Sequence, residues 1–350
     1  MKKHALALAI ASAVAVPAMA QNVSIYGAVD YGFQNYDNGA TTYTRTVNGP
    51  LRTSRIGFTG SEDLGGGLKA NFRLQGTLAA GVNAAAQAST TAAGSNFGFD
   101  EEAYVGLSGA FGEVRIGRTD VTNVESIDTT VSQMGNLGNT VGLASTTAAT
   151  GTDLGGNAAN TIRYISPVFG GVNVDLGYTT KNSAGAVTDT DTPVTSIGFK
   201  YVNGAFSLHG GFTEEKAAAG GTERDQKVIA AAYTGAPISV GLYMSWADVS
   251  ASANANADTK TTILTAAMPI GNGLTAHAGL FRAKIEDSAV KGSGYTLALT
   301  KTLSKRTTVY GAYSAADSDD GSYFKITGTD APTAAGGNTS AITVGVSHAF

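Results

Sequence analysis

The last ten residues of the chain, AITVGVSHAF, alternate between apolar and small or polar side chains, and the chain ends on Phe350. Because a β-strand points successive side chains to opposite sides, this pattern predicts an amphipathic strand with an aromatic carboxyl end. Its apolar face carries Ile342, Val344, Val346, His348 and Phe350. A final strand of this kind suits a closed sheet whose last strand pairs with its first and whose outer face meets lipid. The pattern therefore predicts a closed membrane β-barrel.

The same two-residue period recurs in segments about as long as a tilted membrane strand needs to be. VSIYGAVDYGF, LKANFRLQGTL and ISVGLYMSW each place apolar side chains on one face. The opposite faces of the first two segments carry Ser24, Tyr26, Asp30, Lys69, Asn71, Arg73 and Gln75. A small barrel filled by its own side chains would have large apolar residues at such inner positions, so we expect a water-filled lumen. The pattern near Ala230 and Ile263 does not reveal which face points inward.

Two kinds of connector separate these segments. Seven are short and rich in Gly or Pro, as tight turns are; they are SEDLGGG ending at Gly67, GAFG at 109–112, SPVFGG at 166–171, VNGA at 202–205, TGAP at 234–237, PIGNG at 269–273 and LSKRT at 303–307. Eight are long, and they are centred near Asn38, Ala86, Val141, Ala186, Ala219, Asn254, Asp287 and Asp330. Fifteen connections predict about 16 strands, with short periplasmic turns and long extracellular loops. We therefore expect an all-β fold, a transmembrane antiparallel β-barrel; a soluble β-sandwich does not segregate its loops by length so regularly.

The amino terminus has the parts of a secretory signal peptide. A basic start, MKKH, precedes an apolar run over residues 5–16, and the sequence PAMA ends at Ala20. We expect cleavage after Ala20, which gives a signal peptide over 1–20 and a single barrel domain over 21–350. The apolar run is too short to span a bilayer as a helix, and no later stretch approaches about 20 uninterrupted apolar residues, which excludes a helical membrane protein.

Composition narrows the class of protein further. The mean hydropathy is +0.01, because alternation cancels apolar against polar residues. The chain contains no Cys, so a disulfide framework is excluded. Removal of Lys2 and Lys3 with the signal peptide leaves 21 basic against 27 acidic residues, a net charge of −6. A general nucleic-acid binder is expected to be basic, so nucleic acid is not an expected partner.

Motifs for catalysis, phosphate binding or metal binding are weak. His209 and His277 are predicted to face the lumen on separate strands, without a Ser or Cys nucleophile motif or HExxH nearby. GGGLK at 65–69 lacks the spacing of a phosphate-binding loop. The acidic run at 317–321 lacks the Glu of a calcium loop. We therefore expect no enzyme activity, no cofactor and no metal site.

Six stretches of the sequence together resemble one known family. They are VSIYGAVDYG from Val23, SRIGFTGSEDLGGGLKANFRL from Ser54, AYVGLSGAFGEVRIGR from Ala103, NTIRYISPVFGG from Asn160, LSKRT followed by VYGAY, and the closing VGVSHAF. In this order they resemble the trimeric general porins of Gram-negative outer membranes, in the branch found in beta-proteobacteria. The resemblance implies an outer-membrane homotrimer whose water-filled channels allow passive diffusion of small hydrophilic solutes and ions.

In such porins the third long loop folds back into the barrel and forms the constriction. The corresponding segment here follows EVRIGR and runs over about residues 119–158. Its acidic residues, Asp120, Glu125, Asp128 and Asp153, are the expected loop side of the constriction. A segment this long without strong secondary structure is usually functional or disordered.

The barrel wall that faces this loop is expected to be basic. Alternation places inside the barrel Arg55, Lys69, Arg73, Arg115 and Arg163, while Arg118 lies where the strand gives way to the loop. Opposed basic and acidic rims create a transverse field that selects ions by sign. The family branch is often anion-preferring, so we expect a mild anion preference, blunted if Glu101 and its acidic neighbours reach the pore mouth. Alternatively, these charges pair with one another away from the narrowest point.

The outer surface is expected to contact outer-membrane lipid and lipopolysaccharide. Outward aromatic residues near strand ends suit the headgroup level; they are Tyr178, Tyr201, Phe206, Phe212, Tyr233, Trp246, Tyr295, Tyr313 and Phe350. Small outward residues such as Gly27 and Ala70 suggest a flat surface between subunits. The resemblance also makes Phe350 a signal for outer-membrane assembly, so the assembly machinery is an expected partner.

Two other functions stay open on the sequence alone. A solute-specific outer-membrane channel would carry a ladder of aromatic residues or a dedicated site; no such ladder is visible, but spacing alone does not decide. A surface adhesin or structural outer-membrane protein would show a fixed repeat of roughly 20 residues, and we find none.

Overall fold

A computed structural model describes residues 22–78, 98–120, 134, 136–137, 141–143, 157–180, 193–216, 223–250, 258–285, 291–319, 324–326 and 337–350. In these ranges the chain forms the strands β1 (Asn22–Asp37), β2 (Thr42–Asn48), β3 (Arg55–Gly65), β4 (Leu68–Thr77), β5 (Glu102–Gly109), β6 (Gly112–Asp120), β7 (Val141–Leu143), β8 (Asn157–Ile165), β9 (Val172–Thr179), β10 (Val194–Asn203), β11 (Phe206–Glu215), β12 (Glu223–Tyr233), β13 (Ser239–Ser250), β14 (Thr259–Gly271), β15 (Leu274–Ile285), β16 (Lys291–Thr302), β17 (Thr307–Ser318), β18 (Phe324–Ile326) and β19 (Thr339–Ala349). Within the same ranges, no helix has the length and apolar character to cross a membrane. The predicted signal peptide lies outside them.

The strands form a closed antiparallel barrel. Strands that follow one another along the chain pair, except that β6 pairs with β8, β17 pairs with β19, and β2 and β3 both pair with β1; β19 also pairs with β1. Residues 31–37 of β1 pair with β2, and residues 22–28 of β1 pair with β3. The strands β2 and β3 are therefore two halves of one barrel strand. The short strands β7 and β18 form a separate two-stranded sheet. Sixteen strand positions therefore surround the lumen, which confirms the predicted fold, and the seven short connectors all form turns at one end of the barrel.

The two ends of the described chain close the barrel. The amide of Phe350 donates to the Gly27 carbonyl at 3.0 Å, and the amide of Gly27 donates back at 3.2 Å. The Phe350 ring lies against Gly27 so closely that a Cβ there would overlap it. Glycine at this position therefore makes room for the terminal ring on the outer face.

The facing of the side chains follows the predicted alternation. The apolar residues Ile25, Phe33, Ile342 and Val344 are exposed on the outer face, where lipid would cover them. The inner neighbours Gln34, Ala341 and Thr343 are buried in the wall. Near Ala230 and Ile263, where the sequence pattern was ambiguous, both side chains are buried on the inner face, and Ile229 and Leu264 point outward.

The inner surface has two different walls. On β3 to β9 the inner side chains include Arg55, Arg73, Glu102, Arg115, Arg163 and Asp175, which we call the charged wall. On β12 to β17 and β19 the buried inner side chains are mostly Ala, Ser and Thr, which we call the small-residue wall; they include Ala230, Ser245, Thr265, Ala283, Thr296, Ala298, Ala312, Ser314, Ala316 and Thr343. The barrel expected to enclose a water-filled lumen thus has one inner wall of mostly small residues, where Val228, Ala230, Tyr243 and Ile263 also form an apolar cluster.

Candidate pore constriction

The charged wall is built by inner positions that lie side by side on neighbouring strands. Arg115 on β6 is directly opposite Arg163 on β8. Arg73 on β4 is directly opposite Tyr104 on β5, whose ring lies 4.7 Å from the Arg115 guanidinium carbon. Two-residue alternation explains why all these side chains share the inner face. The register between strands brings the cations together at similar depth.

Each arginine of the charged wall has a carboxylate partner. Arg55 Nη1 lies 3.3 Å from Glu101 Oε2, and Arg73 Nε lies 2.8 Å from Glu102 Oε2. The other two pairs join Arg115 to Glu113, with a nitrogen–oxygen distance of 2.9 Å, and Arg163 to Asp175. Planar guanidinium groups bind carboxylates through two parallel hydrogen bonds, which fixes the orientation of the side chains. The wall is therefore a set of neutralised pairs.

The carboxylates of Glu101 and Glu102 lie beside Arg55 and Arg73 because the chain at the start of β5 packs beside the end of β4. The amide of Glu101 donates to the Gln75 carbonyl at 3.1 Å, and the amide of Thr77 donates to Asp100 Oδ1 at 2.8 Å. Thr77 Oγ1 also donates to Glu101 Oε1 at 3.1 Å. The acidic run at 100–102, expected to blunt anion preference if it reached the pore mouth, thus extends the sheet and reaches the arginines.

A hydrogen-bonded network holds Arg73 in place. Its Nε donates to the Tyr26 hydroxyl at 2.6 Å, and its Nη2 donates to Gln75 Oε1 at 2.9 Å. The Tyr26 hydroxyl donates to the same Gln75 oxygen at 2.8 Å, and Gln75 Nε2 donates to Glu101. Because Tyr26, Gln75 and Glu102 all bind the Arg73 guanidinium, this side chain has a well-defined orientation.

The arginines of the charged wall differ in how much of each side chain is exposed to the lumen. The side chains of Arg55 and Arg73 are 33% and 35% exposed, whereas Arg163 is 4% exposed. The partner of Arg73, Glu102, is 3% exposed, so its charge is covered while the guanidinium is not. A solute in the lumen therefore meets the cations of Arg55 and Arg73 and does not meet that of Arg163.

Two of the predicted basic residues lie apart from these pairs. Lys69 is exposed beside the turn between β3 and β4, four residues toward that turn from Arg73. Arg118 donates its Nε to the backbone oxygen of Asp100 at 2.6 Å. On the loop side, Asp120, at the end of β6, accepts a hydrogen bond from Asn157, at the start of β8. The predicted loop residues Glu125, Asp128 and Asp153 lie outside the described residues.

Three described residues of the 119–158 segment lie against the opposite side of the lumen. Met134 and Leu137 are buried in a cluster with Ala298, Tyr310 and Ala312 on β16 and β17. The amide of Asn136 donates to the Leu51 carbonyl at 2.8 Å. The segment that leaves the barrel wall at β6 thus reaches the small-residue wall, which confirms that it folds into the lumen.

The break between β2 and β3 forms the platform on which this segment docks. Residues 49–54 bulge inward, and Asn136 Nδ2 donates to the Gly49 carbonyl at 2.8 Å and to Thr53 Oγ1 at 3.2 Å. Asp30, fully buried, accepts hydrogen bonds from the amides of Leu51, at 3.0 Å, and Arg52, at 2.5 Å. The bulge is therefore fixed to β1, and the docked loop is fixed to the bulge.

Tyr310 on β17 also binds to this platform, from the other side of the closing strand β19. Its hydroxyl donates to Asp30 Oδ1 at 2.6 Å. A Cβ at Gly345, on the neighbouring strand β19, would overlap this hydroxyl, so glycine there leaves the space that the phenol needs. Ser54 Oγ completes the group by accepting from the Asp30 amide at 2.9 Å.

Several lumen residues were not among the sequence candidates. Arg45 on β2 faces inward, with its guanidinium carbon 5.7 Å from the centre of the Tyr36 ring, and alternation within β2 would have found it. Glu113 and Asp175 also alternate inward, but their role as arginine partners depends on contacts that a sequence pattern does not contain. Gly49 and Pro50 signal a chain break, which is the one local sign of the inward bulge.

The lumen histidines do not form a catalytic arrangement with each other. His209 is buried on the inner face of β11, and His277 lies on β15, where its Nε2 is 3.0 Å from Thr300 Oγ1. Within the described ranges, His, Asp and Glu side chains form no group of three that could hold a metal ion.

The family profile described as Gram-negative porin matches residues 5–321. Outer membrane porin protein 32 of Delftia acidovorans is 30% identical over 364 aligned residues that cover 100% of both chains. A major outer membrane protein P.IB of Neisseria gonorrhoeae is 31% identical over 220 residues, 59% of this chain and 55% of that protein.

Solved structures give the same result for the fold. An anion-selective porin from Comamonas acidovorans superposes with a TM-score of 0.76 at 27% identity, covering 94% of this chain and 100% of that one. OmpT of Vibrio cholerae, in its trimer form, superposes with a TM-score of 0.66 at 13% identity, covering 95% of this chain and 100% of that one. The second likeness concerns the fold alone.

Proposed function

Because the chain belongs to the Gram-negative porin family and forms an outer-membrane channel, we propose that it is a general diffusion porin with a mild anion preference set by Arg55 and Arg73. It passes small hydrophilic solutes and ions without binding any one of them specifically, and it has no enzymatic activity. The loop side of its constriction is formed by Asp120 with Glu125, Asp128 and Asp153.

The observation that supports this assignment is the unequal exposure within the ion pairs. About a third of each of the Arg55 and Arg73 side chains faces the lumen, while Glu102 is almost completely covered. Because Coulomb interaction weakens with distance, an ion in the lumen interacts more strongly with the accessible guanidinium groups than with the covered Glu102 carboxylate behind Arg73. The net field felt by a solute is therefore positive at this height of the wall.

The preference is mild because the same carboxylates cancel much of the field at longer range. Glu101 and Glu102 lie within ion-pair distance of the two exposed arginines, and Arg115 and Arg163 have their own partners, Glu113 and Asp175. Screening by salt shortens the reach of what is left to about 10 Å at 0.1 M ionic strength. The anion-selective porin from Comamonas acidovorans gives the same sign of preference in a relative.

The remaining features of the proposal concern export and assembly. Residues 1–20 act as the signal peptide, and residues 21–350 form the single barrel domain. Three copies assemble into a homotrimer embedded in outer-membrane lipid and lipopolysaccharide. The assembly machinery of the outer membrane recognises the terminal strand through Phe350.

Single-channel recording in planar bilayers tests this function. We expect conductance steps in groups of three, no saturation by any sugar or amino acid, and a reversal potential in a KCl gradient that shows modest anion preference. Saturable block by one solute would instead identify a solute-specific channel, and absence of any conductance would contradict the porin assignment.

Deletion of Phe350 tests the assembly role. The deletion removes the ring over Gly27 and the last pair of hydrogen bonds between β1 and the carboxyl end. We expect much less trimer in the outer membrane, with normal single-channel conductance in the trimers that do form. Substitution of Phe350 by Tyr is the matched control and should insert normally. An unchanged yield of the deletion variant would refute this role.

A further inference from the structure

A band of positive charge crosses the outer surface of the barrel. Directly paired positions on the five adjacent strands β12 to β16 carry Lys227, Trp246, Lys260, Lys284 and Lys291. Each side chain points to the same side of its strand as an exposed apolar residue; these apolar residues are Ile229, Leu242, Leu264, Leu280 and Leu297. All five side chains therefore point away from the lumen. Arg282 is a further outward cation on β15, and we call Lys260, Arg282, Lys284 and Lys291 the basic patch.

The basic patch lies near the long-loop end of the barrel, just beyond its apolar band. Lys260 is the second residue of β14, Lys284 the second-last of β15, and Lys291 the first of β16. Exposed leucines on β14 and β15 lie four residues nearer the middle of the strands, roughly 13 Å away along the chain. Trp246 has the outward facing and the level typical of an interfacial aromatic residue. The cations are thus placed where the headgroups of the outer leaflet lie.

The arrangement is electrostatically unfavourable in the protein by itself. Lys260 is directly opposite Lys284, which is directly opposite Lys291, and like charges at such positions destabilise a sheet. Lys291 pairs with Asp319 at 3.1 Å, and Lys260 lies 5.6 Å from the centre of the Trp246 ring. Among the described carboxylates, none lies within ion-pair distance of Lys260, Arg282 or Lys284. An external anion would relieve the repulsion.

A second copy of the chain is a poor candidate for that anion. Burial of cations without partners between subunits costs several kcal/mol per charge by general estimates. A lipid surface fits better, because anionic headgroups cover cations while acyl chains cover the leucines below them.

We infer that the basic patch binds the phosphate groups of lipopolysaccharide in the outer leaflet. This inference rests on the proposed outer-membrane function and adds a defined site to it. Arg282 can bind a phosphate through two parallel hydrogen bonds, and Lys260 and Lys284 flank it as compact point charges. The apolar surface beneath the patch receives the acyl chains of the same molecule.

The single tryptophan of the chain provides a direct reporter, since Trp246 contacts Lys260 within the band. Delipidated trimers in detergent are titrated with bisphosphorylated lipid A in mixed micelles, and Trp246 fluorescence is followed. The variant K260Q/R282Q/K284Q should bind at least about tenfold more weakly, because each basic residue contributes appreciably to attraction of an anionic headgroup. The variant K301Q/K305Q/R306Q, which removes three cations at the short-turn end, is the matched control and should bind like wild type.

Two further titrations identify the ligand chemistry. Lipid A without phosphates should bind wild type as weakly as it binds the triple variant, and inorganic phosphate at millimolar concentration should not displace the bisphosphorylated form. Equal affinity of wild type and triple variant for bisphosphorylated lipid A would overturn the inference. Displacement by inorganic phosphate would overturn it too, since the site would then bind the free anion.

Conductance separates this inference from the proposed function. The triple variant should conduct like wild type, because its substitutions lie on the outer surface; loss of lipid A binding with normal conductance supports the patch. If wild type and the triple variant both conduct and bind lipid A equally well, the inference is refuted and the proposed function is not. If the triple variant does not form trimers, K284Q alone is used, with an expected loss of about threefold and the same contradiction if none is seen.

Discussion

The two inner walls of the barrel differ in the side chains that they present to the lumen. The charged wall holds its arginines in pairs with Glu101, Glu102, Glu113 and Asp175, whereas the small-residue wall presents mostly Ala, Ser and Thr side chains. The first wall provides charge in fixed positions. The second provides space, and the described part of the 119–158 segment packs there through Met134 and Leu137. We therefore expect selectivity and pore width to depend on different sides of one lumen.

Within the charged wall, covered and accessible pairs should also differ in role. Arg163 and Asp175 are both almost completely covered, so their pair contributes to the integrity of the wall. Arg55 and Arg73 are accessible, so their pairs contribute to the field in the lumen. We therefore propose that the same chemistry, an arginine beside a carboxylate, serves stability at one position and selectivity at another.

The largest effect is expected from breaking the covered pair. Arg163→Met leaves Asp175 as a buried charge without its partner, which typically costs about 3–5 kcal/mol of stability. We expect the folded barrel to convert to the unfolded form at a clearly lower temperature in a heat-shift gel assay. The double variant R163M/D175L removes both charges and should recover most of the loss. Wild-type heat resistance of R163M would show that the pair is not structural.

A smaller effect is expected from uncovering the accessible arginines. E101Q/E102Q removes both compensating charges while keeping hydrogen-bonding groups, so the field of Arg55 and Arg73 in the lumen becomes stronger. We expect the anion-to-cation permeability ratio to rise by about two- to fivefold at low salt. The control E62Q/D63N removes two exposed carboxylates beside the turn after β3 and should change the ratio much less. A ratio unchanged or lowered in E101Q/E102Q would show that these carboxylates do not mask the arginines.

The smallest effect is expected on the small-residue side, where the loop is docked. Asn136→Ala removes the two side-chain hydrogen bonds to Gly49 and Thr53, each worth about 1 kcal/mol net. Since Met134 and Leu137 still anchor the segment, we expect noisier open-channel current and slightly higher conductance with unchanged ion preference. Asn203→Ala, at an exposed turn, is the control. A shift in reversal potential in N136A would mean that the two walls are not separate in function.

Local sequence patterns predicted the architecture well, for physical reasons. The two-residue period fixed which side chains of β1 and β19 face lipid, and Gly- or Pro-rich turns marked the short connections. The terminal alternation ending at Phe350 correctly predicted pairing between the last strand and the first. These features depend on a few neighbouring residues, so a single sequence contains them.

The site was less predictable because it depends on register across strands. Which carboxylate meets Arg73 is decided by the register in which β5 pairs with β4, since Glu102 is directly opposite Gln75. Lys69 shares the inner facing of Arg73 in sequence, yet it lies toward the short turn, since alternation gives the face and not the functional depth. The alanines of the small-residue wall could not be assigned to the inner face from the sequence, because Ala is compatible with either face of a strand.

The most direct test is the reversal potential of R55Q/R73Q in a KCl gradient, measured at low salt beside wild type and K69Q/K305Q. We expect R55Q/R73Q to lose the anion preference and to shift toward cations, because Glu101 and Glu102 are then left without the accessible cations. The control, which removes two cations at the short-turn end, should keep most of the preference. An unchanged reversal potential in R55Q/R73Q, or an equal shift in the control, would contradict the claim that accessible arginines of the charged wall set ion preference.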